Sequence, residues 1–429
     1  MADQDLATQR SSWATLPWEI LSKIISHATD TAAEYVSYRS ICPGWRRSLT
    51  DYSPIRPLPS PQLPFLLLPH HDRDPHQPTP HIGKVFPLPF NPLRAPRSYD
   101  LPQLKNTQGF ICVGSSHGWL ITLGRDSSLS LLNPVTADSL PLHFLSCIDH
   151  QNISFHRLSF PEYHLMRHNI WHSQSSIVRR AVLSSDPAED HNFTLLLFIS
   201  DENNYCYTWS GRGGPWIKHQ HTKFVVEDVI SINGMFVAIN RWNQLVFFDF
   251  RNRNTGLDLI WFNIQQELPS GDVFLVNSDG HLLIVSTLFF LYPSQDIFPR
   301  GYIKIFEFPV EEFRNRTVRR IKVMDLKDHA LFLAHGCSVS VSVSVRHFPR
   351  LTRDAVYFTH VYCKLGAMVE GEERRDVTLY QGAVYRNIVS AGTMSESIKV
   401  FDVENSRVAG LWNGRRPFWV TPNINRYVL

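Results

Sequence analysis

The chain has 429 residues, 43% of them hydrophobic, 12% aromatic and 19% charged, which is core material for more than one small domain and excludes global disorder. Its 42 basic and 39 acidic residues leave a net charge of +3, and no Lys/Arg block is long enough to track phosphates, so nucleic-acid binding is not expected. The six cysteines (Cys42, Cys112, Cys147, Cys206, Cys337 and Cys363) stand apart without a C-x-x-C pair, and Met1 to Leu6 lacks the basic-then-apolar order of a secretory signal; a reducing location, cytoplasm and/or nucleus, is expected.

Residues 13–52 read as a small three-helix domain. Leu16, Ile20, Ile24 and Ala28 recur every four positions, and Leu21 and Ile25 widen the stripe. Pro17 suits the first helical position, where its missing N–H costs nothing, and Glu19 complements the dipole of the first turn. A second helical stretch is predicted from Ala32 to Ile41, and Pro43-Gly44 breaks it before a short third piece over Trp45 to Leu49.

Residues 53–107 read as a proline-rich connector, because 14 of the chain's 28 prolines fall between Ser53 and Pro102 and forbid a long helix or a central strand. Phe65 to Leu68 and Val85-Phe86 are apolar enough to pack on the following domain as edge strands, so the connector is expected to be extended in part and partly packed on the propeller.

Residues 108–429 read as almost wholly β. Strands are predicted at Gly118 to Leu123, Leu129 to Leu132, Ala181 to Ser184, Thr194 to Ile199, Val229 to Ile232, Met235 to Ile239, Leu245 to Phe250, Val273 to Asn277, His281 to Thr287, Ile303 to Phe308, Ser338 to Val345, Ala355 to Thr359, Ala383 to Arg386 and Ile398 to Val403. The longest lipid-like run, His281 to Tyr292, is too short and too polar for a bilayer, which takes about 20 residues of helix.

An internal repeat organises these strands. Laying Gly118 to Asn133 over Gly234 to Asp249, an offset of 116 positions, pairs Trp119 with Met235, Leu123 with Ile239, Arg125 with Arg241, Leu129 with Leu245, and Leu131-Leu132 with Phe247-Phe248 without a gap. Gly280 follows Gly234 after 46 positions, close to the blade period of familiar propellers, so the fold expected is mainly β, a C-terminal β-propeller of six or seven blades.

The N-terminal pattern Leu16-Pro17-Trp18-Glu19-Ile20-Leu21, then Ile24, Ile41-Cys42 and Trp45, resembles an F-box. Together with Ser115 to Leu120, Leu132-Asn133-Pro134-Val135-Thr136, Leu140-Pro141, Val226 to Ala238 and Phe418 to Pro422, the chain resembles the plant F-box proteins with a C-terminal DUF295 domain, a KIB-type, kelch-like β-propeller. The resemblance implies a substrate-recognition subunit of a Skp-cullin-F-box (SCF) ubiquitin ligase, non-catalytic and without cofactor or metal. Leu16, Pro17, Ile20, Leu21, Ile24, Ile41, Cys42 and Trp45 would dock on a Skp-type adaptor and through it on cullin, and the propeller would hold a protein target. Trp45 either touches the adaptor or fills the helical core. Two departures from the pattern, Pro43-Gly44 before Trp45 and no Asp opening the second helix, keep a second reading open: a propeller scaffold whose degenerate F-box no longer binds the adaptor.

Target contacts are expected on propeller loops, where binding residues concentrate, and the candidates are Arg125, Trp216, Arg241 and Trp242, since Trp and Arg dominate interface hot spots. Enzymatic readings find little footing. His164, His168 and His172 share a helical spacing without a carboxylate partner, Gly211 to Gly214 lacks the dinucleotide pattern, and Ser278-Asp279-Gly280 only superficially matches the Asp-box of propeller glycosidases.

Overall fold

A computed structural model describes residues 13, 16–28, 38–39, 41–49, 62–71, 80–87, 99–100, 111–123, 128–142, 178–199, 205–211, 214–220, 226–240, 242–249, 258–263, 272–291, 300–308, 321–323, 326, 328–333, 339–348, 351, 355–365, 377–386, 398–400 and 418–421. Two helices lead: α1 (Trp18–Ala28) and α2 (Pro43–Ser48). Most of the expected second helix, Ala32 to Ile41, falls outside the described residues, so the three-helix unit is seen in part.

Strands follow in sets. The first comprises β1 (Phe65–His71), β2 (Pro80–Pro87) and β3 (Tyr99–Asp100). Next come β4 (Ile111–Ser116), β5 (Trp119–Leu123), β6 (Leu129–Leu132) and β7 (Ser139–Leu142), then β8 (Val178–Leu183), β9 (Thr194–Ile199), β10 (Tyr205–Ser210) and β11 (Ile217–Gln220). The fourth set is β12 (Val226–Ile232), β13 (Met235–Asn240), β14 (Gln244–Asp249) and β15 (Asp258–Asn263). The rest are β16 (Asp272–Ser278), β17 (His281–Leu291), β18 (Arg300–Phe308), β19 (Ile321–Val323), β20 (His329–Leu333), β21 (Ser340–Ser344), β22 (Ala355–Leu365), β23 (Val377–Arg386), β24 (Ile398–Val400) and β25 (Phe418–Val420).

Three of these sets, β4 to β7, β8 to β11 and β12 to β15, are antiparallel four-stranded sheets in sequence order. The strands β16 to β24 form one nine-stranded sheet, in which two sets are joined by the parallel pairs β16–β21 and β17–β22. The first strand of each sheet lies against the first strand of the next, β4 on β8, β8 on β12 and β12 on β16. The core is divided accordingly into separate layers between successive sheets. One holds Trp119, Ile121 and Leu131 against Leu195, Leu197 and Trp209. The next holds Phe198 and Cys206 against Phe236 and Phe248, and a third Val237 and Phe247 against Ile284 and Phe308. These are propeller-like sheets in a mainly β chain.

Because the β4–β7 and β12–β15 sheets are covered on both faces, their second strands have no solvent side. Every residue of Trp119–Leu123 and Met235–Asn240 is buried, which is why these strands read as continuous apolar runs instead of alternating ones. Each fully buried Phe, Leu, Ile or Val contributes about 1.5 to 3 kcal/mol of transfer free energy.

The repeat seen in the sequence is a repeat of register. Leu120 pairs with Leu132 as Phe236 pairs with Phe248, Ile121 with Leu131 as Val237 with Phe247, and Leu123 with Leu129 as Ile239 with Leu245. The turns that open these hairpins are also alike: His117-Gly118, Asn233-Gly234 and Asp279-Gly280 each place two successive residues at positive φ. Two such residues make the mirror-image turn that matches the twist of a hairpin, and Asn, Asp and Gly reach that region at least cost. The intervening 116-residue spacing contains one sheet, β8 to β11, in which Ser184 to Phe193 replaces the two-residue turn.

The proline-rich segment departs from its reading as edge strands. β1 and β2 occupy the middle of a four-stranded sheet of order β25-β1-β2-β3, so the chain's two ends meet in one sheet. The prolines fit because they fall at strand ends (Pro80, Pro87) or at the register shift between Leu68 and Pro69, where a ladder N–H is dispensable. No helix among the described residues is long and apolar enough to cross a membrane.

Candidate functional site

The helical unit has two unlike faces. Pro17 precedes α1, and its carbonyl accepts the amides of Ile20 (3.1 Å) and Leu21 (3.0 Å), one position later than the start expected from sequence. Cys42 caps α2: its extended backbone frees the chain from any earlier helix, and its Sγ accepts the Trp45 amide at 3.4 Å. Pro43 therefore occupies the first turn of α2, where a missing N–H is harmless, and opens a helix rather than only breaking one. Leu21, Ile25, Trp45 and Leu49 are buried, and they pack on Phe65 and Leu67 of β1 and on Leu120, Leu132 and Val135 of the β4–β7 sheet. Two polar bonds fix this seat, from Trp45 Nε1 to the Trp13 carbonyl (2.8 Å) and from Arg39 Nη1 to the Val135 carbonyl across 96 residues (2.7 Å).

The opposite face is apolar and open. Trp13 is 60% exposed, Ile41 58%, Ile20 47%, and Trp18 and Ile24 38% each, with Pro17 exposed beside them. Several exposed large hydrophobics on one short helical unit are the informative exception on a folded surface, since single exposed ones are ordinary.

The eight residues proposed for adaptor contact thus divide. Pro17, Ile20, Ile24 and Ile41 look outward, Leu21 and Trp45 are consumed by the chain's own core, and Leu16 and Cys42 are half-buried against that core. The helices are seated on the sheets. Phe65, Leu67, Leu120 and Leu132 form an apolar seam at the edge of two sheets, and the inner stripe of α1 and α2 is what covers it.

At the other end of the strands, the turn between β13 and β14 presents Trp242, 42% exposed. Asn240, itself buried, builds this turn: its Oδ1 accepts the amides of Trp242 (3.0 Å) and Gln244 (2.9 Å), and its Nδ2 donates to Gln244 Oε1 (2.8 Å). Asn243 takes φ of 57° within it. Trp216, expected on the same kind of loop, is instead 8% exposed and packs against Trp209 with ring centroids 6.4 Å apart. It follows a Gly-Pro pair into the edge strand β11, and the apolar layer beneath draws the ring inward. Arg125, Arg241, His164, His168 and His172 lie outside the described residues.

Between these ends run the first strands, whose seams carry the perturbed carboxylate. A register shift falls within each of three of them, between Cys112 and Gly114, Val178 and Arg180, and Val226 and Asp228. The residue beside each shift meets the neighbouring sheet differently. A Cβ on Gly114 would lie 2.4 Å from the Ala181 carbonyl oxygen, so the two strands approach as only glycine allows. Arg180 donates from Nε to the Glu227 carbonyl at 3.0 Å. Asp228 accepts the Leu275 amide on Oδ2 (2.8 Å) and its own neighbour Val229 on Oδ1 (2.9 Å). Burial pushes the Asp228 carboxyl up to about 6, against the pull of Arg180 and those amides. Such a value marks active-site candidates, but a carboxyl with 3% exposure and both oxygens engaged by backbone is a strut between sheets. Nothing in the sequence singled out Asp228; a carboxylate at the buried parity of an apolar strand was the available signal.

The turns at the helix-bearing end are tied together as well. Ser116 Oγ donates to the Leu183 carbonyl (3.4 Å), Ser231 Oγ to the Ser184 carbonyl (3.0 Å), and Asp186 accepts from Trp119 Nε1 (2.9 Å). Desolvation lowers the pKa of His117 beside them, although Asp186 pulls it back up. Among the described residues no three His, Cys, Asp or Glu side chains gather as a metal site.

A family model described as KIB1-4 beta-propeller matches residues 87–386. F-box protein SKIP23 of Arabidopsis thaliana is 26% identical over 358 residues, covering 77% of this chain and 80% of that one. A second Arabidopsis thaliana protein named as an F-box protein, At5g55150, is 22% identical over 427 residues, covering 97% and 99%. Among solved structures, the N-terminal domain of Nup159 superposes with a TM-score of 0.25 at 12% identity over 86% of this chain and 79% of that one.

Proposed function

This chain belongs to the KIB1-4 β-propeller family, and from that membership we propose that it is the substrate-recognition subunit of an SCF ubiquitin ligase, its helical unit docking on a Skp-type adaptor and its propeller holding the target. The observation that carries the reading is the outward apolar face of Pro17, Ile20, Ile24 and Ile41 on helices whose inner face is already anchored. Both Arabidopsis thaliana relatives bear the F-box name. Such a subunit contributes position and not acid–base chemistry: it raises the effective concentration of a target lysine near a charged ubiquitin carrier. Trp242, presented at the end remote from the helices, is the target contact this reading favours, with Arg125 and Arg241, which the sequence repeat pairs, as further candidates.

The test is co-expression of the full chain with a plant Skp-type adaptor. The parent should co-purify with it, whereas Ile20→Asp combined with Ile24→Asp should abolish co-purification without moving the melting temperature. A scaffold with a degenerate F-box is the second reading, favoured by the commitment of Leu21 and Trp45 to the internal core. A folded parent that never retains the adaptor would decide for the scaffold.

A further inference from the structure

We propose that α1 and α2 have a second role: they are the clasp of the sheet in which the two ends of the chain meet, so that unseating them opens the β1–β25 pairing before the rest of the propeller loosens. The C-terminal strand is held by little. β25 is three residues long and sits at the end of its sheet, and its register consists of Phe65 with Val420, Leu66 with Trp419 and Leu67 with Phe418. Its ladder partner is β1, and the first strand of the next sheet, β4, lies against it as well. One face of β1, Phe65 and Leu67, is buried in the same cluster as Leu21, Ile25, Trp45 and Leu49. Without the helices those two side chains, with Leu120, Leu132 and Val135, would face water, and the strand would lose the burial that pins it.

The remaining seams have no such dependence. The β4–β8, β8–β12 and β12–β16 contacts are closed by apolar layers from both sheets and by the links of Arg180, Ser231 and Asp228. Local opening proceeds first where few buried contacts hold a segment, which here is the seam closed by an element from outside the repeat. Adaptor binding plays no part in this clasp, so its fate and that of the adaptor reading are separate. The helical segment is accordingly not a detachable hook: removing residues 13–52 would bare the seam instead of leaving an intact wheel.

Hydrogen exchange on the full chain tests it, comparing peptides that cover Phe65–Leu67 and Phe418–Val420 with peptides that cover Val226–Asp249. Ile25→Ala, on the seated face, should speed exchange in the first group by about tenfold or more and in the second by less than about twofold. Ile24→Ala, on the open face, should change neither. Should Ile25→Ala fail to fold, Ile25→Val removes a single methyl and is read by the same peptides. Equal acceleration in both groups, or none in the first, would overturn the proposal.

Discussion

The seam beneath the helices and the seams between the middle sheets are closed by different means. Between β8, β12 and β16 the sheets themselves supply what is needed: facing apolar strands and side chains that reach the neighbouring backbone. Where the chain's ends meet, the repeat offers only a three-residue strand, and the burial comes from Leu21, Ile25 and Trp45, which belong to no blade. The junction between β25 and β1 is not a copy of the others. It has been covered by a segment that also has an open apolar face for a partner.

The largest effect should come at the borrowed seam. Trp45→Ala removes a ring that touches both helices and sheets and should cost about 3 to 5 kcal/mol in chemical denaturation. A cost near that of a surface substitution would show that the helices merely rest there. A middle seam is probed by Gly114→Ala, whose methyl would meet the Ala181 carbonyl and the Ile121 side chain, for a loss of about 1 to 3 kcal/mol. If Gly114→Ala melts like the parent, the close approach of β4 and β8 is not the constraint described.

Asp228 gives the comparison a pH axis. Its folded pKa, about 6, lies above the roughly 3.9 of an unfolded aspartate, so folding favours the protonated form. Stability from this group is full below the unfolded value and is lost as pH rises through the folded one. Urea unfolding of the parent and of Asp228→Asn between pH 4.5 and 7.5 should therefore show the difference drifting in the variant's favour by about 1 to 3 kcal/mol. A pH-independent difference would mean that the carboxylate is better solvated than its surroundings suggest. The smallest effect on stability belongs to Trp242→Ala, within about 0.5 kcal/mol, because the turn is built by Asn240 and not by the indole. Its readout is target capture in cells under proteasome inhibition, which should fall; unchanged capture would move the target contact elsewhere.

Much of this was legible in the residues. The 116-position repeat gave not only the hairpins but their register, because a strand buried on both faces and a turn that demands positive φ leave fixed marks, apolar runs after Asn-Gly, His-Gly or Asp-Gly. β10, Tyr-Cys-Tyr-Thr-Trp-Ser, and β15, Asp-Leu-Ile-Trp-Phe-Asn, went unread because they are short and lack that leading turn. The helix stripe was equally plain, but its use was not. Leu21 and Ile20 are adjacent in sequence, and only the position of β1 and β5 decides which of them is inside. Trp216 shows the same limit: a Trp after Gly-Gly-Pro looks like a displayed side chain until the layer below it is known.

The three unlike residues beside the register shifts of β4, β8 and β12 have a consequence for how such a chain can evolve. Gly114 meets a carbonyl by yielding space, Arg180 meets one by donating, and Asp228 meets an amide by accepting. Each joint is matched to the backbone of its own neighbour, so duplicated modules cannot be shuffled freely and the order of the wheel is written into its joints.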